Sequence, residues 1–408
     1  MYRSIMVAVD NSEWSEHATN TAIALAKATG ATLTGNHVYA AALHSRRFQQ
    51  VEPGLPERYQ AEEVLQRQRD IHVDLIARGL AVISDSYLDI FEQRCLQAGV
   101  RAQRKATEGR NYEQLVRDAK DSGYDLVVIG AHGLGRVKRS ILGSVCERVA
   151  RLVACDVLVV HDGRDFASGP LMVAIDGSAY SFAALRAAFF LGRLSHQPLY
   201  AVAAYDPFFH GVAFKSIAGV LSAERARLFR FEAQQRLHDE IIDSGLMQVY
   251  RSHLLLAKEM AHREGLSLDI QVLEGKPFDA VSAEVERVQP ALLLVGRHGI
   301  HRGEGVTMGS TAENLVRVAG CNVLVVNRDV PEADTQADTQ DGTEKDVEEA
   351  MTAKTEVRWS DEARARLERV PPFARPMARK SIENYARERG YTEITLPVYE
   401  EARQHFGR

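Results

Sequence analysis

The chain has 408 residues, of which 45% are hydrophobic and 26% charged, and its formal net charge is −5. This composition is typical of a soluble globular protein of two or three domains, and the charge excludes a globally basic nucleic-acid-binding protein. No apolar run approaches the ~20 residues of a membrane span, the apolar start ends on Asp10 as a strand does rather than a signal peptide, and four cysteines without metal-site spacing favour a reduced cytoplasm.

Strands and helices alternate along residues 1–162. Residues 5–9 form a short apolar run, which is typical of a parallel strand buried on both faces, and residues 12–29 carry the apolar spacing of a helix. The pattern then predicts a strand over 33–39, a helical region over about 55–98, a strand over 101–106, a helix over 111–122, a strand over 126–129, a helix from Ser144 and a strand over 157–160. Such alternation predicts an open five-stranded parallel sheet covered by helices on both faces.

The whole pattern repeats at an offset of 166 residues. The coincident pairs include Asp10 with Asp176, Leu33 with Leu199, Gly99 with Gly265, Gly130 with Gly296, Gly143 with Gly309, and Cys155 with Cys321. Because one offset serves from the first landmark to the last, residues 1–162 and 168–328 are predicted to be two tandem copies of one α/β domain.

A glycine pattern follows the fourth strand of each copy. The first copy has Gly130-Ala-His-Gly133, nine residues and Gly143-Ser144, and the second has Gly296-Arg-His-Gly299, nine residues and Gly309-Ser310. Ligands of open parallel sheets bind beyond the carboxyl ends of the strands, where glycine lets the backbone approach a phosphate. Ser144-Val-Cys-Glu147 and Ser310-Thr-Ala-Glu313 both have the form of a capping box, which predicts helix N-termini that suit phosphate.

Polar side chains at the same edge extend this prediction. Asp10 and Asp176 end the first strand of their copies, where a carboxylate can accept hydrogen bonds from ribose hydroxyls. His132 and His298 stand between the paired glycines and face either the phosphates or solvent. The alternative interpretation is that the glycines only form tight turns.

Several enzyme classes are excluded by the motifs that the sequence lacks. There is no phosphate-binding P-loop, no dinucleotide fingerprint, no nucleophile elbow and no zinc-protease motif. We therefore predict no catalytic residue and no metal ligand. Cys155 and Cys321 each precede a buried strand and are predicted to be core residues.

The G-x-x-G, nine-residue, G-[ST] pattern in a β-α repeat resembles the universal stress protein family, of the ATP-binding type. Residues 141–149 and 157–160 match the family's loop, helix and final strand. The resemblance implies two Rossmann-like sheets of the adenine nucleotide alpha hydrolase type, dimeric association through the last strand, and ATP, with or without Mg²⁺, at the carboxyl edge. The chain departs from the family at Asp156 and Asn322, where proline is usual, and this departure bears on the pairing of the last strand.

The resemblance also implies which residues surround the nucleotide in each copy. In the first copy they are Asp10 and Val38 by the ribose and adenine, and Gly130, His132, Gly133, Gly143, Ser144 and Val145 around the phosphates. In the second copy they are Asp176, Ala204, Gly296, His298, Gly299, Gly309, Ser310 and Thr311. Because Val38 corresponds to Ala204, the two adenine pockets are expected to differ.

The remainder of the chain differs from both copies. Residues 328–356 carry 10 acids and 3 bases with almost no apolar residue, so 329–356 is predicted to be an acidic disordered linker. Residues 357–408 carry 11 bases and 8 acids and read as a small, mainly helical domain with Ser360 as a helix cap. This domain resembles the C-terminal domain of the light-independent protochlorophyllide reductase B subunit. Since no cysteine follows Cys321, the reductase's iron–sulfur chemistry does not carry over.

Three functions fit these observations. The leading hypothesis is a cytoplasmic regulatory protein of the stress response that binds ATP in two sites, pairs its copies within the chain, forms a homodimer, and contacts an unknown protein partner through 357–408, with no nucleic-acid or membrane partner. The first alternative is a slow Mg²⁺-dependent ATPase that orients water with Asp10 or His132. The second is a structural pseudo-dimer with one or both sites degenerate, acting as a scaffold for a tetrapyrrole-related enzyme.

Overall fold

The computed structural model describes residues 1–138, 140–164, 166, 168–206, 243–300, 305–328, 358–367, 379, 382–383, 385–386, 389 and 391–406. The chain divides into two compact units, Met1–Thr335 and Gln336–Arg408. The predicted linker lies outside the described residues, as does most of 370–390, where the sequence pattern predicts a turn followed by a helix. Within the described ranges, no helix combines the length and the apolarity needed to cross a membrane.

The first half of the larger unit follows the predicted alternation of strands and helices. Its elements are β1 Ser4–Ala8, α1 Glu13–Thr29, β2 Thr32–Tyr39, α2 Ala41–Val51, α3 Glu62–Gln97, β3 Ala102–Glu108, α4 Asn111–Ser122, β4 Leu126–Gly130, α5 Ser144–Leu152 and β5 Asp156–Val160. The predicted helical region over about 55–98 is α3 alone, and α2 is a further helix, separated from α3 by two short 3₁₀ turns.

The second half repeats this order. Its elements are β6 Leu171–Ala174, α6 Ala179–Ser195, β7 Leu199–Tyr205, α7 Asp243–Arg263, β8 Leu268–Glu274, α8 Pro277–Val288, β9 Leu292–Gly296, α9 Ser310–Val318 and β10 Asn322–Val326. These ten strands form one sheet in the order β3-β2-β1-β4-β5-β10-β9-β6-β7-β8. Within each half every strand pairing is parallel, which confirms the predicted fold class.

The halves pair through their last strands. Strands β5 and β10 run antiparallel, and Leu158 lies opposite Leu324, its own counterpart at the offset of 166. A pseudo-twofold axis therefore passes through this pair, and it makes the two halves a pseudo-dimer within one chain.

The residues that replace proline in these strands support the pairing. Asp156 is almost fully buried, and its carboxylate accepts from the backbone N–H of Asn327 at 2.9 Å and from the Tyr2 hydroxyl at 2.8 Å. Asn322, its counterpart, accepts from the backbone N–H of His161 at 2.8 Å. Each side chain thus holds the chain that leaves the other half's last strand, which proline could not do because it has no side-chain acceptor.

The smaller unit has its own core. Strands β11 Arg358–Trp359 and β12 Glu393–Ile394 pair in parallel, and helices α10 Asp361–Leu367 and α11 Leu396–Phe406 follow them. The Ser360 hydroxyl accepts from the backbone N–H of Ala363 at 3.3 Å, as expected of a helix cap. From the sequence we expect Trp359, Phe373 and Ile382 to form this domain's core; Trp359 and Ile382 are buried together, and Phe373 lies outside the described residues. The small sheet was not predicted.

Candidate functional site

Each half has a large cavity at the carboxyl edge of its strands. The first has a volume of about 590 Å³ and the second about 610 Å³, both within the usual range of ligand-binding pockets. The predicted residues that line the first cavity are Asp10, Val38, Gly130, His132, Gly133, Gly143, Ser144 and Val145. Those that line the second are Asp176, Ala204, Gly296, His298, Gly299, Gly309, Ser310 and Thr311. The structure therefore brings all sixteen predicted residues to two equivalent places.

The aspartates organise the loop that follows the fourth strand. One carboxylate oxygen of Asp10 accepts from the backbone N–H and the hydroxyl of Ser12, at 3.0 and 2.6 Å, and the other accepts from the backbone N–H of Leu134 at 3.3 Å. Asp176 likewise accepts from the backbone N–H groups of Ser178 and Ile300, at 3.0 and 2.9 Å, while the Ser178 hydroxyl donates to the His298 carbonyl oxygen. Each carboxylate thus joins the end of the first strand to the glycine loop.

The glycines have packing reasons that the sequence did not reveal. A Cβ atom on Gly130 would lie 2.7 Å from the backbone of Trp14 in α1, and one on Gly296 would lie 2.7 Å from the backbone of Tyr180 in α6. A side chain on Gly133 would collide with the Asp10 carboxylate. Our interpretation that Gly130 and Gly296 leave space for a phosphate is therefore incomplete. In the structure the absence of a side chain at these positions lets the neighbouring helix pack closely against the strand.

The predicted capping boxes are wrong. Helix α5 begins at Ser144 and α9 at Ser310, so the cap positions belong to Gly143 and Gly309, which provide no side-chain hydrogen bond. The acids of both motifs instead form ion pairs, since Arg317 contacts Glu147 closely and lies 3.0 Å from Glu313. The first backbone N–H groups of each helix consequently have no side-chain cap, and an anion can approach them from the cavity.

The two loop histidines pack edge-on against aromatic rings. The centroids of His132 and Trp14 are 5.1 Å apart, and those of His298 and Tyr180 are 5.0 Å apart. Burial lowers the pKa of the His132 imidazole below its usual value, and the Arg136 guanidinium lowers it further. His132 is therefore neutral at pH 7. The sequence left open whether His132 faces the phosphates or solvent. In the structure its ring packs against Trp14 and also lines the cavity.

Two further residues of the first cavity bear on what it can bind. Arg136 lines it and stacks over the Trp14 ring at 4.8 Å, which places a cation beside the glycine loop. Asn36, almost fully buried, donates its side-chain amide to Asp118, while Val202 occupies the equivalent place in the second half. The sequence offered one indication of this buried polar contact, since Asn36 is an amide within the strand predicted over 33–39.

The fold and these two cavities define a tandem α/β protein with a ligand-sized cavity in each half. The family model described as universal stress protein family matches residues 1–161 and 168–327, and the model described as proto-chlorophyllide reductase 57 kD subunit matches residues 359–403. The chain belongs to the universal stress protein family.

Individual proteins agree with this assignment. Universal stress protein YxiE of Bacillus subtilis is 28% identical over 161 residues, which cover 40% of this chain and 100% of YxiE. A universal stress protein from Archaeoglobus fulgidus covers 80% of this chain and 98% of its own at 16% identity, with a TM-score of 0.50, which shows the fold alone. The light-independent protochlorophyllide reductase B subunit of Heliobacterium modesticaldum is 44% identical over 57 residues, which are 14% of this chain and only 11% of that protein.

Proposed function

We propose that the protein binds ATP in both cavities and acts as a nucleotide-dependent regulator in the stress response. The observation that carries this proposal is that each cavity combines apolar side chains with a helix N-terminus. In the first half the cavity is lined by Val38 of β2 and Leu115 of α4, and also by Ser144 and Val145 at the start of α5. An apolar crevice suits a base, and an uncapped helix N-terminus suits phosphates.

Two acids and one arginine line each cavity. Asp10 and Glu147 line the first cavity together with Arg136, and Asp176 and Glu313 line the second together with Arg151. The lining carries no strong positive field, so phosphates would be held chiefly by backbone N–H groups and the helix dipole. Among the described residues no group of three acidic, histidine or cysteine side chains is placed to hold a metal ion, so Mg²⁺ would enter with the phosphates.

Binding without efficient hydrolysis is the version of this function that we favour. Both carboxylate oxygens of Asp10 already accept hydrogen bonds from Ser12 and Leu134, so this side chain is engaged in holding its loop. His132 packs edge-on against Trp14. Neither group is set to activate water, which is the role that the ATPase alternative requires.

Isothermal titration of the full chain with ATP tests the proposal. We expect two binding events per chain, and one event each after Val38→Trp or Ala204→Trp, which fill the two base crevices separately. Mass spectrometry of small molecules released from the purified protein would identify the nucleotide it carries. Absence of heat with ATP, together with no released nucleotide, would overturn the proposal.

For the smaller unit we propose a protein-interaction role. Its core contains Trp359 and Tyr399, with ring centroids 6.4 Å apart, and these buried rings leave no reason to assign it a pigment site. Deletion of 357–408 should leave both ATP affinities unchanged and abolish capture of the partner. If the deletion weakened ATP binding as well, the smaller unit would instead contribute to the nucleotide site.

A further inference from the structure

Arg151 belongs to the first half but lines the cavity of the second. It lies on α5, and its guanidinium is 3.7 Å from Glu313 and 3.9 Å from Glu147. These contacts are long for ion pairs, and the side chain is 44% exposed, so the guanidinium retains donors for another acceptor. In the same cavity lie Ser310 and Thr311, at the helix N-terminus where we place the phosphates.

Its counterpart Arg317 is placed differently. Arg317 contacts Glu147 closely and lies 3.0 Å from Glu313, and it does not line the first cavity. The two arginines are equivalent under the pseudo-twofold axis, yet Arg151 lines the cavity of the opposite half and Arg317 does not. The second site therefore includes a cation from the opposite half, whereas the first does not receive the equivalent one.

Arg297 explains the difference between the halves. It is 4% exposed, and it donates to the carbonyl oxygens of Thr307 at 2.7 Å and Val153 at 2.8 Å, and also to that of Arg151. These bonds fasten the end of α5 to the loop of the second site. The equivalent residue in the first half is Ala131, which has no donor to make such a link.

We propose that Arg151 completes the second nucleotide site by binding the terminal phosphates, and that Arg297 is the positioning residue that holds it there. This inference rests on the proposed function and adds an asymmetry to it. A guanidinium binds phosphate through paired, charge-assisted hydrogen bonds. The second site should therefore bind the phosphates of ATP more tightly than it would without Arg151. Since Arg151 belongs to the first half, the second site depends on the first half for one of its ligand-binding residues.

The test compares Arg151→Gln with Arg148→Gln in the full chain. Both variants remove one charge from α5, but Arg148 lies over the Tyr112 ring and lines neither cavity. By titration, Arg151→Gln should weaken ATP at one of the two sites roughly tenfold, the size expected for one partly exposed charged hydrogen-bond pair. Adenosine, which has no phosphate, should bind both variants like the unaltered chain.

Site-blocking variants identify the affected site. With the first crevice filled by Val38→Trp, Arg151→Gln should show the full tenfold loss, and with the second filled by Ala204→Trp it should have no effect. Circular dichroism checks that each variant is folded. If a variant that carries a tryptophan is unfolded, the comparison of Arg151→Gln with Arg148→Gln in the otherwise unaltered chain still tests the proposal. Equal losses at both sites, an equal loss for adenosine, or no loss at all would overturn the role of Arg151.

The positioning role of Arg297 has a separate test. Arg297→Ala should weaken ATP binding in the Val38→Trp background. The double variant Arg297→Ala with Arg151→Gln should bind ATP no more weakly than Arg151→Gln alone. A purely structural effect would add to the loss from Arg151→Gln. If the unaltered chain binds no ATP, the proposed function fails; if it binds and these variants behave like it, only the inference fails.

Discussion

Replacement of Gly130 by alanine separates packing from ligand binding at the predicted phosphate loop. The new Cβ atom would lie 2.7 Å from the Trp14 carbonyl carbon and Cβ, and 2.8 Å from the Trp14 oxygen. Carbon atoms in good contact are ~3.5–4.0 Å apart, so β4 and α1 must separate by almost an ångström. Strain of this kind in a packed core costs about 1–3 kcal/mol of the free energy of unfolding.

Urea unfolding followed by circular dichroism measures this loss, and Gly79→Ala is its matched control. Gly79 lies inside α3, and a Cβ atom added there would have no neighbouring atom within 4 Å, so the same substitution should raise stability by about 0.5–1 kcal/mol. The opposite signs follow from the surroundings, since the chemical change is identical.

Ligand binding supplies the contrary outcome. If Gly130→Ala unfolds like the unaltered chain but no longer binds ATP in the first cavity, the glycine serves the phosphate and our packing argument is wrong. If it is destabilised by the stated amount and still binds ATP when folded, the contact with Trp14 is the reason for the glycine.

The remaining predictions concern buried polar groups and thiols. Burial raises the pKa of Asp156 above that of an ordinary carboxyl, against the opposing effect of Arg328, so the folded state holds this proton more tightly. Its stabilising contribution is therefore present below about pH 4 and lost as pH rises through the folded pKa, and Asp156→Asn should flatten that part of the stability profile measured by urea unfolding. Asp118→Ala should cost about 1–3 kcal/mol because it leaves the buried amide of Asn36 without its acceptor, and the same change in an Asn36→Val background should cost less. Burial raises the pKa of Cys95 to about 11 and that of Cys321 to about 12, so these thiols should resist a thiol-specific reagent at pH 8 and react once urea unfolds the chain; fast reaction in the folded state would contradict this.

Much of the fold could be predicted because it is encoded locally. Helix α4 begins and ends where the pattern placed it, and the short apolar runs of the sheet fall within a residue or two of the observed strands. The helical stretch after β2 was less exact, since the pattern predicted one helical region and the structure has α2 and α3 with two short 3₁₀ turns between them. The small sheet of β11 and β12 was missed because two-residue strands carry no periodic signal.

The candidate site divides in the same way. Spacing and the 166-residue offset identified the aspartates and glycine loops that line both cavities, because the carboxyl ends of parallel strands meet at one edge. Val38 and Ala204 followed only from the family resemblance. The capping boxes failed because a four-residue motif does not say which residue begins the helix, and Glu147 contacts Arg317 across the pseudo-twofold axis instead.

The sequence by itself determined that this protein is two copies of one α/β domain with a glycine loop in each, since repetition and periodicity are properties of the chain. Only the tertiary structure decided that the copies share one sheet, that Gly130 admits a helix, and that Arg151 of one half enters the cavity of the other. Arg151 and Glu313 are 162 residues apart in the chain and 3.7 Å apart in space. Contacts of this kind depend on how two folded halves meet, and no local pattern records that.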